Sequence, residues 1–152
     1  ALVNGKGQVI GVNTLKLSGT GIEGMGFAIP INYALEYLDV LENGKTINRP
    51  LLGISMVNAS EAAVLKYEYD IKLDSDIQDG VVVIEITDGS AASNSSLKKG
   101  DVITEFDGEY VRNLAYFKYM LYKHNIGDTI ELTYYRDGIY KTTKFKLIKN
   151  ND

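Results

Sequence analysis

The glycine-rich stretch near the start of the chain has the spacing of a phosphate-binding loop. Gly19, Gly21 and Gly24 match the pattern G-x-G-x-x-G, which binds dinucleotides when a strand precedes it and a helix begins at its end. The N-terminus of that helix then contacts the pyrophosphate. Here the apolar triplet Phe27-Ala28-Ile29 follows, and such a triplet favours a strand. We therefore interpret residues 18–24 as a loop that binds no nucleotide.

An acidic segment in the middle of the chain suggests calcium. Four side chains fall at ligand positions of a twelve-residue calcium loop: Asp74, Asp76, Gln78 and Glu85. The glycine of the segment, Gly80, stands one place too late, however, and residues 81–84 belong to an apolar run that predicts a buried strand. A solvent-exposed acidic loop is therefore the interpretation that we favour, and the sequence predicts neither a metal site nor a cofactor.

The chain contains one histidine, His124, near the predicted end of a helix. A Ser-His-Asp relay needs its histidine held by a carboxylate and in contact with a serine. No serine in a glycine-rich turn stands near His124 in the sequence. A cation is favourable at the C-terminal end of a helix, so we predict a structural role for His124.

The composition excludes several classes of protein. The chain has 152 residues, enough for one domain and a fragment of another, and its net charge of -4 argues against a nucleic-acid partner. Cysteine is absent, which excludes disulfides and thiolate catalysis. No apolar run approaches the roughly 20 residues that span a bilayer, and no signal-like segment opens the chain. Composition alone leaves the compartment open.

The composition also changes along the chain. Residues 1–32 hold seven of the 15 glycines and three charged residues, whereas residues 33–152 hold all 11 tyrosines. We predict strands over 8–15 and 25–29, and then a helix over 33–41 with Asn32 as its N-cap and Gly44 as its stop. Leu35, Leu38 and Leu41 recur at a helical spacing and predict a buried face. Because a two-stranded hairpin is marginal alone, we expect this segment to belong to a longer protein.

The remainder of the chain predicts a complete small domain. Strands are expected over 51–57, 80–86, 101–106, 129–135 and 140–147, with a helix over 61–67 capped by Ser60 and another from Asn113 to about His124. Asp107-Gly108 and Asp137-Gly138 predict tight turns. The predicted fold class is mostly β with two helices, a small β-sandwich or barrel.

Two segments of residues 2–32 resemble the end of the protease domain of the HtrA (high-temperature-requirement, Deg) serine proteases. Val-Ile-Gly-Val-Asn-Thr at 9–14 and Gly-Phe-Ala-Ile-Pro at 26–30 occur together at the spacing of that family. The resemblance implies that residues 1–32 are the C-terminal strands of a trypsin-like β-barrel. It also implies that the catalytic histidine, aspartate and serine precede Ala1, the serine in a Gly-Asn-Ser-Gly-Gly turn directly before it.

The rest of the chain resembles the PDZ domain that follows in the same family. The segment 49–54, Arg-Pro-Leu-Leu-Gly-Ile, resembles its carboxylate-binding loop, and the segments 80–83, 89–92 and 97–103 resemble its central signature. Ser90-Ala91-Ala92 and Ser95-Ser96-Leu97 depart from the Ser-Pro-Ala and Ala-Gly-Leu of the family, in a turn away from the expected groove. The implied domains are residues 1–32 of the protease domain, a helix and linker over 33–48, and a PDZ-type domain over 49–152.

Physical reasoning also supports a groove along residues 53–57. A free strand edge presents unpaired backbone groups that an extended peptide can join. Gly53 has no Cβ, which lets neighbouring N–H groups turn together towards a terminal carboxylate. Ile54 and Met56 point to one side of the strand, and the helix that begins at Leu114 lies across from them. This arrangement predicts an apolar slot with an anion-binding end.

The predicted site residues follow from this groove. The last side chain of a peptide would contact Leu52, Ile54, Met56 and Leu121, with Leu114 and Lys118 further upstream and Arg49 acting through water. For Phe117 a purely structural core contact is equally open. The full predicted set is Arg49, Leu51, Leu52, Gly53, Ile54, Ser55, Met56, Leu114, Phe117, Lys118 and Leu121.

Tyr116, Tyr119 and Tyr122 form a helical stripe opposite the apolar face of the same helix. Amphipathic packing explains such a stripe, and a docking surface for another domain is the alternative. The sequence leaves both interpretations open.

The resemblance implies a fragment of an HtrA-like serine endopeptidase in the quality control of exported proteins, with a PDZ domain that binds hydrophobic C-terminal peptides. The implied partners are C-terminal peptides of unfolded or exported proteins, the chain's own protease domain and a second copy, with no nucleic acid. We expect an extracytoplasmic protein, anchored at the bacterial cell surface through a segment outside this chain. The alternatives are a stand-alone PDZ adaptor and a PDZ domain of a Ser-Lys processing protease.

Overall fold

The computed structural model describes residues 1–16, 26–45, 49–74 and 76–149. The chain divides into two units, residues 1–47 and 48–152. The glycine pattern 19–24 and most of the predicted loop and linker lie outside the described residues. No helix within the described ranges is long and apolar enough to span a membrane.

The first unit is built on an antiparallel three-stranded sheet. Strands β1 (Leu2–Val3), β2 (Val9–Lys16) and β3 (Gly26–Pro30) pair in the order β1-β2-β3. Helices α1 (Ile31–Glu36) and α2 (Leu38–Glu42) follow. The two strands predicted here are confirmed. The sequence places the helix with the linker over 33–48, whereas α1 and α2 belong to the same unit as the strands.

The predicted start of the helix is wrong. Helix α1 begins at Ile31, and Pro30 occupies the N-cap with extended backbone angles, so Asn32 lies inside the helix. The single predicted helix is also divided at Tyr37, whose backbone (φ -104°, ψ 0°) departs from helical geometry. The predicted stop is confirmed, because Gly44 follows α2 with a φ of +62°, a conformation that ends helices.

The predicted buried face of these helices is also wrong. Leu35 and Leu41 are 56% and 55% exposed, and Leu38 is exposed as well. Large apolar side chains of the strands face solvent too: Leu2, Val3, Val9, Ile10, Val12, Phe27 and Ile29. One small sheet and two short helices do not supply the second layer that would cover these side chains.

The second unit contains eight strands and two α-helices among its described residues. The strands are β4 (Pro50–Leu51), β5 (Ile54–Asn58), β6 (Val81–Ile86), β7 (Val102–Phe106), β8 (Glu109–Tyr110), β9 (Thr129–Arg136), β10 (Ile139–Lys146) and β11 (Ile148–Lys149). The helices are α3 (Ala62–Tyr69) and α4 (Leu114–Tyr122), with a 3₁₀ turn at Ala92–Asn94. The five longer strands and both helices confirm the sequence prediction. The predicted strand over 51–57, however, is divided at Leu52 and Gly53.

Six of these strands form an antiparallel sheet. Five strands follow the order β10-β9-β7-β6-β5, β8 pairs with β7, and β11 pairs separately with β4. The two edges of the path are chemically different. Strand β10 carries Lys141, Lys144 and Lys146, whereas β5 carries no charged side chain. Lysines on an edge strand discourage pairing with another chain.

The core lies on both faces of β6 and β7. Val81 and Val83 contribute to a cluster with Phe117 and Leu121 of α4. Val82, which points to the opposite face, packs in a second cluster with Leu65 of α3. Burial on both faces explains why β6 is a nearly continuous apolar run.

Of the two N-caps predicted in this unit, one is confirmed and one is wrong. The side chain of Asn113 accepts a hydrogen bond from the N–H of Tyr116 at 2.8 Å, which confirms it as the N-cap of α4. The predicted cap of α3 is wrong: Glu61 occupies that position, and no side chain caps the helix. Ser60 instead belongs to a turn in which the N–H of Glu61 donates to the carbonyl of Asn58 at 3.0 Å.

Candidate peptide-binding groove

The outer edge of β5 is open for pairing. The N–H of Thr87 donates to the carbonyl of Gly53 at 2.8 Å, which makes Ile54 and Ile86 a non-hydrogen-bonded pair of the β5–β6 ladder. The N–H and C=O of Ile54 therefore point away from β6. No strand among the described residues pairs with this side of β5.

The backbone of Met56, two residues further along β5, also faces the open edge. Met56 is opposite Val83, but Val83 directs its backbone to the other neighbour. Its N–H donates to the carbonyl of Asp101 at 2.9 Å, and its carbonyl accepts from Gly100 at 2.8 Å. The N–H and C=O of Met56 consequently face the open edge, so β5 presents a repeating set of backbone donors and acceptors.

The loop before β5 adds the N–H of Gly53 to the outward-pointing N–H of Ile54. The carbonyl of Leu52 accepts a hydrogen bond from Ala92 at 3.0 Å, and that of Gly53 accepts from Thr87. In a trans peptide unit the N–H points opposite to the carbonyl. The N–H groups of Gly53 and Ile54 therefore point away from the segment 87–92. Successive N–H groups arranged in this way attract an anion.

Gly53 is required here by both its backbone and its surroundings. Its φ is +71°, a conformation that side chains with a Cβ rarely adopt. A Cβ at this position would lie 2.1 Å from the Cβ of Ser90. A substituted side chain would therefore collide with the body of the domain.

Helix α4 runs antiparallel to β5 because both ends are fixed. At one end the side-chain carbonyl of Asn58 accepts from the N–H of Leu114 at 2.7 Å, and its amide donates to Glu61 at 2.6 Å. At the other end the guanidinium of Arg49 lies 5.2 Å from the ring centroid of Tyr122. The last turn of α4 therefore lies beside the 52–54 loop.

The predicted site residues fall into three groups. Leu52, Phe117 and Leu121 are buried in the core cluster. Gly53, Ile54, Met56 and Leu114 are partly buried, and the last three pack against that cluster. Arg49, Leu51, Ser55 and Lys118 are exposed.

Ile54, Met56 and Leu114, which border the predicted slot between β5 and α4, all pack against the core cluster that includes Leu121. Leu51 lies apart from this slot, on β4, where it pairs with Ile148 of β11. The ring of Phe117 packs edge-to-face on Phe106, with centroids 5.4 Å apart. That contact is the core role that the sequence left open for Phe117.

Three residues that shape the groove were missing from the predicted set. Asn58 joins β5 to α4, Ser90 packs against Gly53, and Tyr122 contacts Arg49. Their contacts join residues far apart in the chain, which no local pattern reveals. For Tyr122 a signal existed, because it follows directly after the predicted groove residue Leu121.

The tyrosine stripe of α4 is covered by charged side chains of the chain itself. Each ring has one cation over it: Arg112 at 4.8 Å over Tyr116, Lys123 at 4.1 Å over Tyr119 and Arg49 over Tyr122. The hydroxyl of Tyr116 also donates to Glu109, and this hydrogen bond raises the pKa of Tyr116. These contacts favour amphipathic packing over a free docking surface.

Other candidate residues lie outside the groove. His124 lies between Asp107 (3.4 Å) and Asp128 (3.8 Å) with its ring against Phe106, a position that fits the predicted structural role. Glu85 belongs to strand β6, so it is not part of the predicted acidic loop. A cavity of about 590 Å³ also lies elsewhere, bordered by residues 69–74, 77, 98–102 and 135–137. None of the predicted peptide-binding residues lines it.

Comparison with known proteins defines the class. Residues 50–147 match the family model of the PDZ domain, and the chain belongs to this family. PDZ domains bind extended peptides by adding a strand to a sheet edge, and β5 is such an edge.

The relatives of the chain are HtrA serine proteases. It is 41% identical over 99% of its length to the serine protease Do-like HtrA of Lactococcus lactis subsp. lactis and covers 38% of that protein. It is 37% identical to the serine protease Do-like HtrB of Bacillus subtilis and covers 33% of it. The chain thus spans between a third and two fifths of these relatives.

Solved structures give the same fold. An HtrA-type protease AlgW with tripeptide superposes with a TM-score of 0.75 at 27% identity, over 100% of this chain and 49% of that one. An AlgW structure with decapeptide superposes at 0.74 and 23% identity, over 96% and 43%.

Proposed function

We propose that this chain is the PDZ-containing part of an HtrA-like serine endopeptidase, and that its groove binds peptides through a free C-terminal carboxylate and a hydrophobic last residue. The observation that carries this proposal is the open edge of β5 beside outward-pointing N–H groups and an apolar slot. The carboxylate would accept hydrogen bonds from Gly53 and Ile54. The last side chain would lie against Ile54, Met56 and Leu121.

The relatives support the protease over a stand-alone adaptor. They are named serine proteases, and their similarity covers 99% of the chain, including the unit that precedes the PDZ domain. In this proposal the PDZ domain delivers C-terminal segments of unfolded exported proteins to a protease domain of the same protein. No residue of this chain is assigned a catalytic role.

We also propose an extracytoplasmic location with an anchor outside this chain, and contact with a second copy as the route to assembly. Fractionation of cells that produce the full-length protein tests the location. Recovery in the cytoplasmic fraction would contradict it.

Titration calorimetry with matched peptides tests the groove. The panel consists of decapeptides identical except for a last residue of Val, Leu, Ile or Phe, each prepared as free acid and as amide. We expect micromolar or weaker binding, since ordering the peptide opposes association. Amidation should weaken binding by roughly 1–3 kcal/mol, because charge-assisted hydrogen bonds are lost. Equal binding of acids and amides would contradict the carboxylate site.

A substitution at Met56 tests strand addition separately. Its N–H faces the open edge and takes no part in the β5–β6 ladder, so Met56→Pro removes a donor from the groove while the sheet keeps its hydrogen bonds. Met56→Ala is the matched control, because it removes the same side chain but keeps the N–H. Met56→Pro should bind the panel more weakly than Met56→Ala by about 1 kcal/mol. Equal affinities would argue against pairing along β5.

A further inference from the structure

We propose that Tyr122 is a positioning residue for recognition of the peptide carboxylate. It holds the guanidinium of Arg49 at the end of the groove where the N–H groups of Gly53 and Ile54 emerge. The pair then sets how strongly a free acid is preferred over an amide. This inference rests on the proposed function and adds to it the residue that determines this preference.

The contact between the two side chains has the geometry of a cation–π interaction. The guanidinium carbon of Arg49 lies 5.2 Å from the ring centroid of Tyr122, within the range of about 6 Å over which a cation is attracted to an aromatic face. Tyr122 is half-buried and packs against the core cluster. Its ring is therefore a fixed platform for an exposed and otherwise flexible side chain.

The charge of Arg49 is available to a ligand. No carboxylate of the described residues lies within salt-bridge distance of Arg49. Arg49 directly precedes Pro50, and the loop that follows is tied to the body through the carbonyl of Leu52. Both the backbone and the side chain of Arg49 are thus restrained near the anion-binding end.

This end of the groove needs a cation for an electrostatic reason. Helix α4 ends at Tyr122, and the C-terminal end of a helix carries a partial negative charge. A peptide carboxylate beside the 52–54 loop would approach that end. A guanidinium held on the ring of Tyr122 offsets the repulsion, and holding it in place beforehand reduces the ordering cost of binding.

The other tyrosines of α4 provide a built-in comparison. Tyr119 has Lys123 over its ring at 4.1 Å, so it makes the same kind of contact with a different cation. If Tyr122 acted only through helix stability, loss of either ring would have the same consequence. If Tyr122 positions Arg49, only its loss alters recognition of the carboxylate.

The test is the ratio of affinities for the free acid and the amide of the tightest-binding decapeptide in the panel, measured on the full 152-residue chain. The variants are Tyr122→Leu, Tyr122→Phe, Tyr119→Leu, Arg49→Gln and Arg49→Gln combined with Tyr122→Leu. We expect the unaltered chain to prefer the acid by about fivefold or more. Tyr122→Leu should reduce that ratio by about two- to fivefold. Tyr122→Phe keeps the aromatic face and should keep the ratio, as should Tyr119→Leu.

The double variant separates positioning from a structural effect. If the ring acts through Arg49, adding Tyr122→Leu to Arg49→Gln should not reduce the ratio further. An unchanged ratio in Tyr122→Leu, or an equal reduction in Tyr119→Leu, would overturn the inference and leave the proposed function standing. An unaltered chain that binds neither peptide, or both equally, would overturn the carboxylate site together with the inference.

Discussion

Asp101 is a buried carboxylate, and both of its oxygens accept hydrogen bonds. It is 1% exposed, and the guanidinium of Arg136 contacts its two oxygens at 2.5 and 2.6 Å. The N–H of Lys98 adds a third hydrogen bond at 2.7 Å. The hydrogen bond to Asp101 also raises the pKa of Arg136. This cluster joins the turn before β7 to the end of β9.

The first prediction concerns this ion pair. Asp101→Ala leaves Arg136 and the N–H of Lys98 without their partner, so we expect the free energy of unfolding to fall by about 3–5 kcal/mol. Urea denaturation measures this change. The exposed pair between Lys144 and Glu131, 3.2 Å apart, is the control, and Lys144→Ala should cost less than about 1 kcal/mol. A loss in Asp101→Ala as small as that of the control would contradict the prediction.

The second prediction concerns tyrosine ionisation at high pH. Tyr135 donates to Asp74 at 2.8 Å and Tyr116 donates to Glu109, and these hydrogen bonds raise the pKa of both phenols. A folded-state pKa above the unfolded value of about 10 adds stability below that pH, and this stability is lost as pH rises through the higher folded value.

We therefore expect unfolding to become easier above about pH 10, and we expect some phenols to ionise later in the folded chain than in urea. Absorbance titration of tyrosinate measures this, and Tyr135→Phe should remove one of the late groups. Identical titration curves for the folded and the unfolded chain would show that the hydrogen bonds do not matter.

At the scale of elements, the loop between β4 and β5 forms the end of the groove at which we propose that the carboxylate binds. Two glycines of the domain allow its geometry to be dissected, because Gly53 and Gly89 have similar φ values of +71° and +74°. A Cβ at Gly53 would collide with Ser90, whereas one at Gly89 would meet nothing within 4 Å.

The third prediction compares the two glycines. Gly89→Ala should cost about 1 kcal/mol, the penalty for a left-handed backbone alone. Gly53→Ala should cost more, on the order of 1–3 kcal/mol beyond the control, because Ser90 must also move. It should also weaken binding of the free-acid peptides. Equal losses of stability in urea would mean that the loop yields without strain.

The elements that have one strong local signal in the sequence were predicted correctly. The apolar run at 80–86 predicted β6, and Asn113 predicted the start of α4. The break between β4 and β5 was missed because the strand pattern continues through it. The hydrogen bonds of Leu52 with Ala92 and of Gly53 with Thr87, 40 and 34 residues away in the chain, fix the turn there. The groove was predictable as an edge beside a helix.

The details that fix the groove were not predictable, because they depend on contacts distant in sequence. The hydrogen bond from Leu114 to Asn58 joins residues 56 positions apart, and no spacing in the sequence predicts it. The buried face predicted from Leu35, Leu38 and Leu41 failed for a related reason. A periodic apolar stripe indicates that one helix face can pack against another element, but it does not show whether that element is present.

At the scale of the whole molecule, the two units differ in how they bury apolar surface. The second unit has a core on both faces of its sheet, whereas the described part of the first unit leaves most of its large apolar side chains exposed. Exposed apolar surface of this kind favours association.

The fourth prediction follows from this difference. A shortened chain of residues 48–152 should keep the free energy of unfolding of the PDZ unit and should be more uniformly monomeric than the full chain. Urea denaturation and sedimentation velocity measure the two properties. Unfolding of the shortened chain would mean that residues 1–47 are integral to the PDZ fold.

The unequal edges of the six-stranded sheet have a consequence for valency. The lysines of strand β10 discourage pairing at that edge, so β5 is the edge that is open to a further strand. If the groove binds peptides as proposed, each domain holds one chain end at a time, with the modest affinity of a single short strand. Stronger retention of an unfolded protein cannot come from a second strand on the same sheet. It must come from tethering several copies, so that one released end is recaptured by a neighbour at high effective concentration.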